Sequence, residues 1–283
     1  MQHPEFTEEK HQIFYNKILS IGLDTHNLDE PVYKYTSINS VVKILKNHSV
    51  LFRAPHTFND PFEFNLDLLD TSISRKEVKE RLLNSKMIQQ QISKTSLKKL
   101  INQRTNEELT AMYKNALISQ REQAHVFCTS EKFDNILMWS HYADCHKGVC
   151  LGLKIPLIDS SLHCWTLRVR YDDKIKPMKF YLRNEEDVSV SLLYWAYTKS
   201  MCWKYESEVR SLIMNPGDGK VPLKDGFINV SFPPKWVEEI YFGVNSSKHD
   251  IDLINGILKS EGYVNVKITK KMKKKKNEFG IEP

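Results

Sequence analysis

Glycine and proline are scarce in this sequence, 10 and 11 among 283 residues. With 41% hydrophobic and 27% charged residues beside them, collagen-like, low-complexity and wholly disordered chains are excluded. Long hydrophobic runs are missing as well: nothing approaches the ~18 apolar residues that a membrane-spanning helix needs. The opening MQHPEFTEEKHQ is polar, without the apolar stretch of a signal peptide. Cysteine occurs five times, at 128, 145, 150, 164 and 202, an odd number with no CxxC. Such a set does not suit a disulfide framework, so a reduced, cytoplasmic setting is expected. GxxxxGK[ST], GxGxxG and GxSxG are all absent, which removes support from phosphate-loop, dinucleotide-fold and serine-hydrolase readings. No HExxH occurs, and the i,i+5 spacing of His141 and His146 does not put them on one helical face, so no metal site is expected.

What is present suits a single domain of ordinary size with an insertion. The net charge of +6 is unevenly placed. From Lys270 onward six lysines and two glutamates give +4, leaving +2 for the rest of the chain. A basic tail of this kind can touch nucleic acid or another anionic surface, and its plain reading is a solvated, disordered terminus.

Periodicity divides the chain into a helical lead-in (1–30), an α+β domain (31–269) and the tail (270–283). PVYKYTS (31–37) reads as a strand, with Thr36 or Ser37 capping an amphipathic helix that carries Ile38, Val41, Val42 and Leu45. SVLFRAP (49–55) reads as a strand. Residues 71–123, polar with sparse apolar positions, read as two or three surface helices inserted as a lid. Strands are expected at 124–130, 148–155, 166–173, 207–214, 227–232, 238–244 and 263–269. Helices are expected at 134–143 (capped by Asp134), 185–199 and 250–262. Strands and helices mix without strict alternation, so the fold class is α+β rather than doubly wound α/β.

Four constellations can carry chemistry. Tyr33 and Tyr35 share one strand face opposite Lys34; they either pack in the core or wall a pocket that stacks a flat ring. Asn59-Asp60-Pro61 makes a turn, with Glu63 an additional acid beside it. Thr129 and Ser130 end a strand ahead of Trp139, His141 and Tyr142, a crowd of hydrogen-bonding groups denser than packing requires. In WKYESEVR (203–210), an extended chain would project Glu206, Glu208 and Arg210 to one side. Two carboxylates so placed are tolerated when water, a cation or a substrate hydroxyl lies between them; otherwise Glu208 and Arg210 belong to a solvated sheet face.

As a set, YKYTS (33–37), FNDPFE (58–63), FCTS with LMWSHYADCHKGVCLGL (127–130 and 137–153) and WKYESEVR (203–210) resemble a family catalogued as domain of unknown function 2971. The family name carries no activity. More distantly, the order of these motifs is similar to the three-part layout of ADP-ribosyltransferases. That resemblance implies a split, mixed or antiparallel β-sheet core with flanking helices, and NAD as the substrate. It also implies Glu208 as the catalytic acid with Glu206 as its partner. NAD would be bound by Lys34 or Tyr35 on the first strand and by Thr129 and Ser130 on the second. Tyr33, Asn59, Asp60, Trp139, His141 and Tyr142 complete the expected pocket. The sequence departs from that layout in lacking His or Arg at the first position and in carrying Cys-Thr-Ser for Ser-Thr-Ser. Either NAD is held differently here or the site does not use it.

The expectation is therefore an NAD-consuming transferase to a protein or nucleic acid, or an NAD glycohydrolase, in the manner of toxins or defence effectors. Two rivals stand beside it. One is a non-enzymatic module that holds a nucleotide. The other is a metal-dependent nuclease or hydrolase in which Asp60, Glu63, Glu206 and Glu208 gather a divalent cation.

Overall fold

In the computed structural model, residues 8–27, 29–70, 72, 74–84, 92–155, 158–159, 164–174, 177–179, 192–214 and 226–283 are described. Ten strands form one sheet. They are β1 (Val32–Thr36), β2 (Ser49–Arg53), β3 (Ala124–Ser130), β4 (Val149–Leu153), β5 (Ile158–Asp159), β6 (Cys164–Arg168), β7 (Glu208–Met214), β8 (Phe227–Ser231), β9 (Val237–Phe242) and β10 (Ile268–Lys271). The order is β10-β9-β4-β1-β3-β7-β6-β5, with β8 and β2 branching from β3. Only β9 and β10 pair parallel within it; the other ladders are antiparallel. The α+β class and the mixed sheet are thus present.

The branching decides where the site lies. β1 meets β3 only at Tyr33↔Ser130, and β2 meets it only at Arg53↔Val126. One strand therefore serves two neighbours on the same edge, at opposite ends. Four residues of strand span ~13 Å, so the sheet forks around a gap opposite Cys128. β7 closes the other edge of β3 along its whole length, from Glu208↔Ser130 to Met214↔Ala124.

The chain enters through α1 (Glu8–Ser20), and one sheet face buries Val32, Phe127, Val149, Leu151, Val209 and Ile240 against α2 (Ile38–Asn47) and a late helix, Lys248–Ser260. The stripe predicted for α2 is real: Val41 and Leu45 are fully buried, and Ser37 is its cap, its hydroxyl accepting the Ser40 N–H. The opposite face divides into two clusters. One surrounds Trp195, Leu212 and Phe64; the other holds Tyr33, Tyr35, Trp139 and Tyr241. Between residues 71 and 123 the described helices are α3 (Arg75–Asn84), α4 (Lys94–Asn102) and α5 (Asn106–Gln123), around a small core of Val78, Leu97, Ile101 and Leu109. No described helix is long and apolar enough to cross a membrane.

Several expectations are corrected. The helix at 134–143 is α6 (Ile136–Tyr142), capped by Asn135, not Asp134, because the Asn135 side chain accepts the N–H groups of Leu137 and Met138. The strand expected at 263–269 begins only at Ile268; Tyr263 instead turns inward and donates to the Leu45 carbonyl (2.8 Å). Of the helix expected at 185–199, residues 185–191 lie outside the described residues. Residues 192–196 are helical, and Thr198–Lys199 pair parallel with Arg170–Tyr171. The tail is ordered. β10 adds Lys270 and Lys271 to the sheet, and Lys273–Lys274 pair with Ile281–Glu282. Met272 and Ile281 are buried in the tyrosine-rich cluster, which supplies the apolar anchor that the lysine count concealed.

Between α6 and β4 the chain makes a tight left-handed bend, with positive φ at Asp144, Cys145 and His146. Two glycines allow it to close. A Cβ on Gly148 would overlap the Thr36 carbonyl oxygen, and one on Gly243 the His146 carbonyl oxygen. Gly148→Ala is therefore expected to cost about 1–3 kcal/mol, the price of forcing a backbone shift in a packed region. Chemical denaturation reads this as a lowered midpoint, and an unchanged midpoint would show that the bend yields freely.

Candidate functional site

A cavity of about 130 Å³ opens in the fork of the sheet. Its wall includes Tyr33, Lys34 and Tyr35 from β1, Arg53 from β2, and Cys128 and Thr129 from β3. Asn59 and Glu63 come from the turn after β2, Met138 and Tyr142 from α6, and Lys199, Glu206 and Glu208 from around the start of β7. Segments far apart in sequence meet here because β3 is shared by β1, β2 and β7.

The floor is a buried charge cluster. The Lys199 Nζ lies 3.0 Å from Glu63 Oε1, 2.6 Å from Glu206 Oε2 and 3.0 Å from Glu208 Oε2. Arg210 donates from Nε to Glu208 Oε1 (2.6 Å), pairs with Glu63, and donates from a terminal nitrogen to the Ala196 carbonyl (2.7 Å). The rings of Phe58 and Phe64, edge-on to each other, both lie beside its guanidinium at 5.8 and 6.0 Å. The Tyr142 hydroxyl donates to Glu206 Oε1 (2.6 Å). Glu63, Lys199, Glu206, Glu208 and Arg210 are all buried. Buried charges persist only when paired and hydrogen-bonded, and each of these is.

The expected extended run 206–210 is corrected here. Glu206 ends the 3₁₀ turn Met201–Glu206, and Ser207 adopts a left-handed φ of 44° before β7 begins. The two glutamates converge not by alternation along one strand but because both reach Lys199. The solvated-face reading of Glu208 and Arg210 is likewise corrected: they are 3% and 1% exposed.

The two carboxyls are driven in opposite directions. Burial works to raise the Glu208 carboxyl, but the charges of Arg210 and Lys199 overcome it and hold that carboxyl well below the usual range. Glu206 is pushed up, first by burial and further by its neighbour Glu208, against the pull of Lys199. The ammonium of Lys199 is held charged by the glutamates around it, despite its burial. Burial also raises the Tyr142 hydroxyl and the Cys128 thiol far above their ordinary values, so neither ionises readily.

Of the residues expected to catalyse or to bind NAD, Tyr33, Lys34, Tyr35, Asn59, Thr129, Tyr142, Glu206 and Glu208 line the cavity. Four others do not. Asp60 is buried in its turn, accepting the Phe62 N–H (2.9 Å). Ser130 is fully buried behind the wall and donates to the Glu206 carbonyl (2.6 Å). Trp139 has no exposed surface; its Nε1 donates to the Phe133 carbonyl, and its ring meets Tyr35 edge-on at 5.3 Å, propping that wall from behind. His141 is exposed outside, 3.2 Å from the Tyr205 hydroxyl. The Tyr33 and Tyr35 hydroxyls are taken by Glu239 and the Lys132 carbonyl.

Lys199 and Arg53 escaped the sequence reading. Lys199 closes the apolar run LLYWAYT and sits seven and nine residues before the two glutamates, a lone cation beside a buried segment. Arg53 has no comparable signal, since an outward position on a short alternating strand reads as solvated.

Among the described residues, no group of three or more His, Cys, Asp or Glu side chains is arranged to hold a metal ion. The place where the glutamates would share a cation is taken by the Lys199 ammonium, and Asp60 faces elsewhere.

Residues 138–211, from α6 into β7, match the model of a family described as Protein of unknown function (DUF2971). The match contains Tyr142, Lys199, Glu206, Glu208 and Arg210, most of the charge cluster and one wall of the cavity. No curated protein and no solved structure matches the chain.

Proposed function

We propose that the protein is an ADP-ribosyltransferase-like enzyme that cleaves the N-glycosidic bond of NAD, releasing nicotinamide and passing the ADP-ribosyl group to a protein or nucleic acid, or to water. The observation that carries this reading is the pairing of two carboxyls, one held ionised and one driven toward its neutral form, on the wall of a cavity with aromatic sides. Cleavage of the nicotinamide–ribose bond builds positive charge on the sugar. A carboxylate that is already ionised and fixed by Arg210 and Lys199, as Glu208 is, stabilises that charge without reorganising as it develops. Glu206 has the complementary character: its raised carboxyl suits it to accept the proton of an incoming hydroxyl or water and to return it. Tyr142 holds one of its oxygens in place. The cavity is lined in part by the aromatic residues Tyr33, Tyr35, Phe58 and Tyr142, a composition that suits a heterocycle.

A binding module is the second reading. It is favoured by the engagement of both Glu208 oxygens within the cluster, which leaves that carboxylate satisfied without a ligand.

The test is release of nicotinamide from NAD by purified protein, beside Glu206→Gln and Glu208→Gln. Release is expected from the wild type, with a fall of about 10²–10³-fold in the Glu208 variant, the usual cost of removing one preorganised electrostatic group. Equal turnover by that variant removes Glu208 from the mechanism. Saturable NAD binding without release at any protein concentration favours the binding module.

A further inference from the structure

Among the described residues, two cations on the cavity wall have no carboxylate partner. Lys34, half-buried on β1, donates to the Cys128 carbonyl (2.9 Å) and lies 5.0 Å over the Phe127 ring. Arg53, exposed at the end of β2, donates to the hydroxyl and carbonyl of Thr57 (3.3 and 2.6 Å) and stacks on Phe227 at 5.6 Å. Among the described residues neither has an acidic side chain within 4.0 Å. By contrast, Lys199 and Arg210 on the cavity floor are surrounded by glutamates.

The positions of these two cations follow from the fork. Lys34 comes from the strand pairing at the Ser130 end of β3, and Arg53 from the strand pairing at its Val126 end, so they flank the open stretch at Cys128 from either side. The charges are unequal across the cavity. Glu63, Glu206 and Glu208 are opposed by Lys199 and Arg210, an excess of one negative charge; Lys34 and Arg53 turn that into an excess of one positive charge. Like charges facing one cleft repel: burial lowers the affinity of Lys34 for its proton and Arg53 adds to this, while Glu208 and Glu206 pull the other way. An anion placed between them relieves that repulsion; Thr57 takes Nε and one terminal nitrogen of Arg53, and its other terminal nitrogen, Nη1, is the one that can donate to an oxyanion.

We propose that Lys34 and Arg53 form a phosphate subsite, binding the phosphoryl group of a ligand whose sugar lies toward Glu206 and Glu208. The subsite deepens the glycosidic reading, since it makes the substrate a phosphorylated riboside, but its evidence and its test are separate. It also assigns Arg53, on β2, a part in binding that the motif layout does not give it.

The experiment is calorimetric titration of the full chain with ribose 5-phosphate, with inorganic pyrophosphate and with ribose. The wild type is expected to bind ribose 5-phosphate at least about tenfold more tightly than ribose, and to bind pyrophosphate. Affinity for both phosphorylated probes should weaken as salt is added. Arg53→Gln, at an exposed position, should lose about tenfold in affinity for them with its unfolding midpoint unchanged; Lys34→Gln should lose at least as much. Equal affinities for ribose and its phosphate overturn the subsite, as does undiminished phosphate binding by Arg53→Gln, or an absence of binding by every phosphorylated probe. If ribose 5-phosphate binds as described and NAD is not cleaved, the subsite stands and the glycosidic reading falls. If NAD is cleaved and Arg53→Gln binds phosphate normally, the reverse holds.

Discussion

Lys199→Met is expected to destabilise the protein by about 3–5 kcal/mol, the usual result of removing one partner from a buried ionic network. The side chain is nearly the same length, so little packing is lost. What changes is electrostatic: Glu63, Glu206 and Glu208 remain buried with only Arg210 to oppose them, and the Glu206 carboxylate keeps just the Tyr142 hydroxyl. Guanidinium unfolding at pH 7 checks the size of the effect. A second substitution gives it a signature that a packing defect lacks. Adding Glu206→Gln to Lys199→Met removes one of the stranded charges and should recover part of the loss, a non-additivity expected of groups in one network. A loss below about 1 kcal/mol, or strictly additive effects, would mean that the cluster does not hold this part of the fold together.

The second large effect concerns pH. Glu208 is held below the ordinary carboxylate range in the folded chain. Its contribution is fully present above the value of an unfolded glutamate, ~4.3, and is lost as pH falls toward the depressed folded value. Lys199 is raised in the folded chain. Its contribution is fully present below the unfolded lysine value of ~10.4 and is lost as pH rises beyond that. Glu206, raised on folding, works the other way in acid and offsets part of the Glu208 effect. The cluster should therefore stabilise the fold over a plateau between about pH 5 and pH 10, and weaken it by roughly 2–3 kcal/mol toward pH 2–3, the scale of one salt-bridged carboxylate. Comparing denaturation midpoints of wild type and Glu208→Gln across this range isolates the carboxyl. The variant should start lower at pH 7 and lose less on acidification; parallel curves would assign the acid sensitivity to other groups.

Much of the fold was legible because its strands obey a period of two and its boundaries carry turn chemistry. β3, β7 and β8 fall within a residue of where alternation places them, and the α2 stripe follows from spacing, which narrowed its cap to Thr36 or Ser37. Of the site, the two glutamates and the paired tyrosines were legible as unusual local groupings. The hub that joins them was not. Lys199 is joined to the glutamates by long-range pairing: Thr198–Lys199 lie parallel to Arg170–Tyr171, and the Tyr171 hydroxyl accepts the Glu208 N–H (2.8 Å). No local pattern encodes such a meeting. The fork was hidden for the same reason, since each strand is ordinary by itself and only the choice of partners opens the gap. Ser130 and Trp139 mark the opposite failure. Both belong to a dense polar motif, yet their hydrogen bonds are spent holding the wall rather than facing the cavity.

The basic C-terminal hairpin has a practical consequence for how its lysines can be studied. Met272 and Ile281, one at either end of it, rest among the same tyrosines that back the cavity. Clipping the chain before Met272 would strip two apolar residues from behind β1 along with the charge, and a ligand-affinity change in such a truncation would say nothing about electrostatics. Neutralising the exposed Lys273, Lys274 and Lys276 one by one leaves that backing in place and keeps the two effects apart.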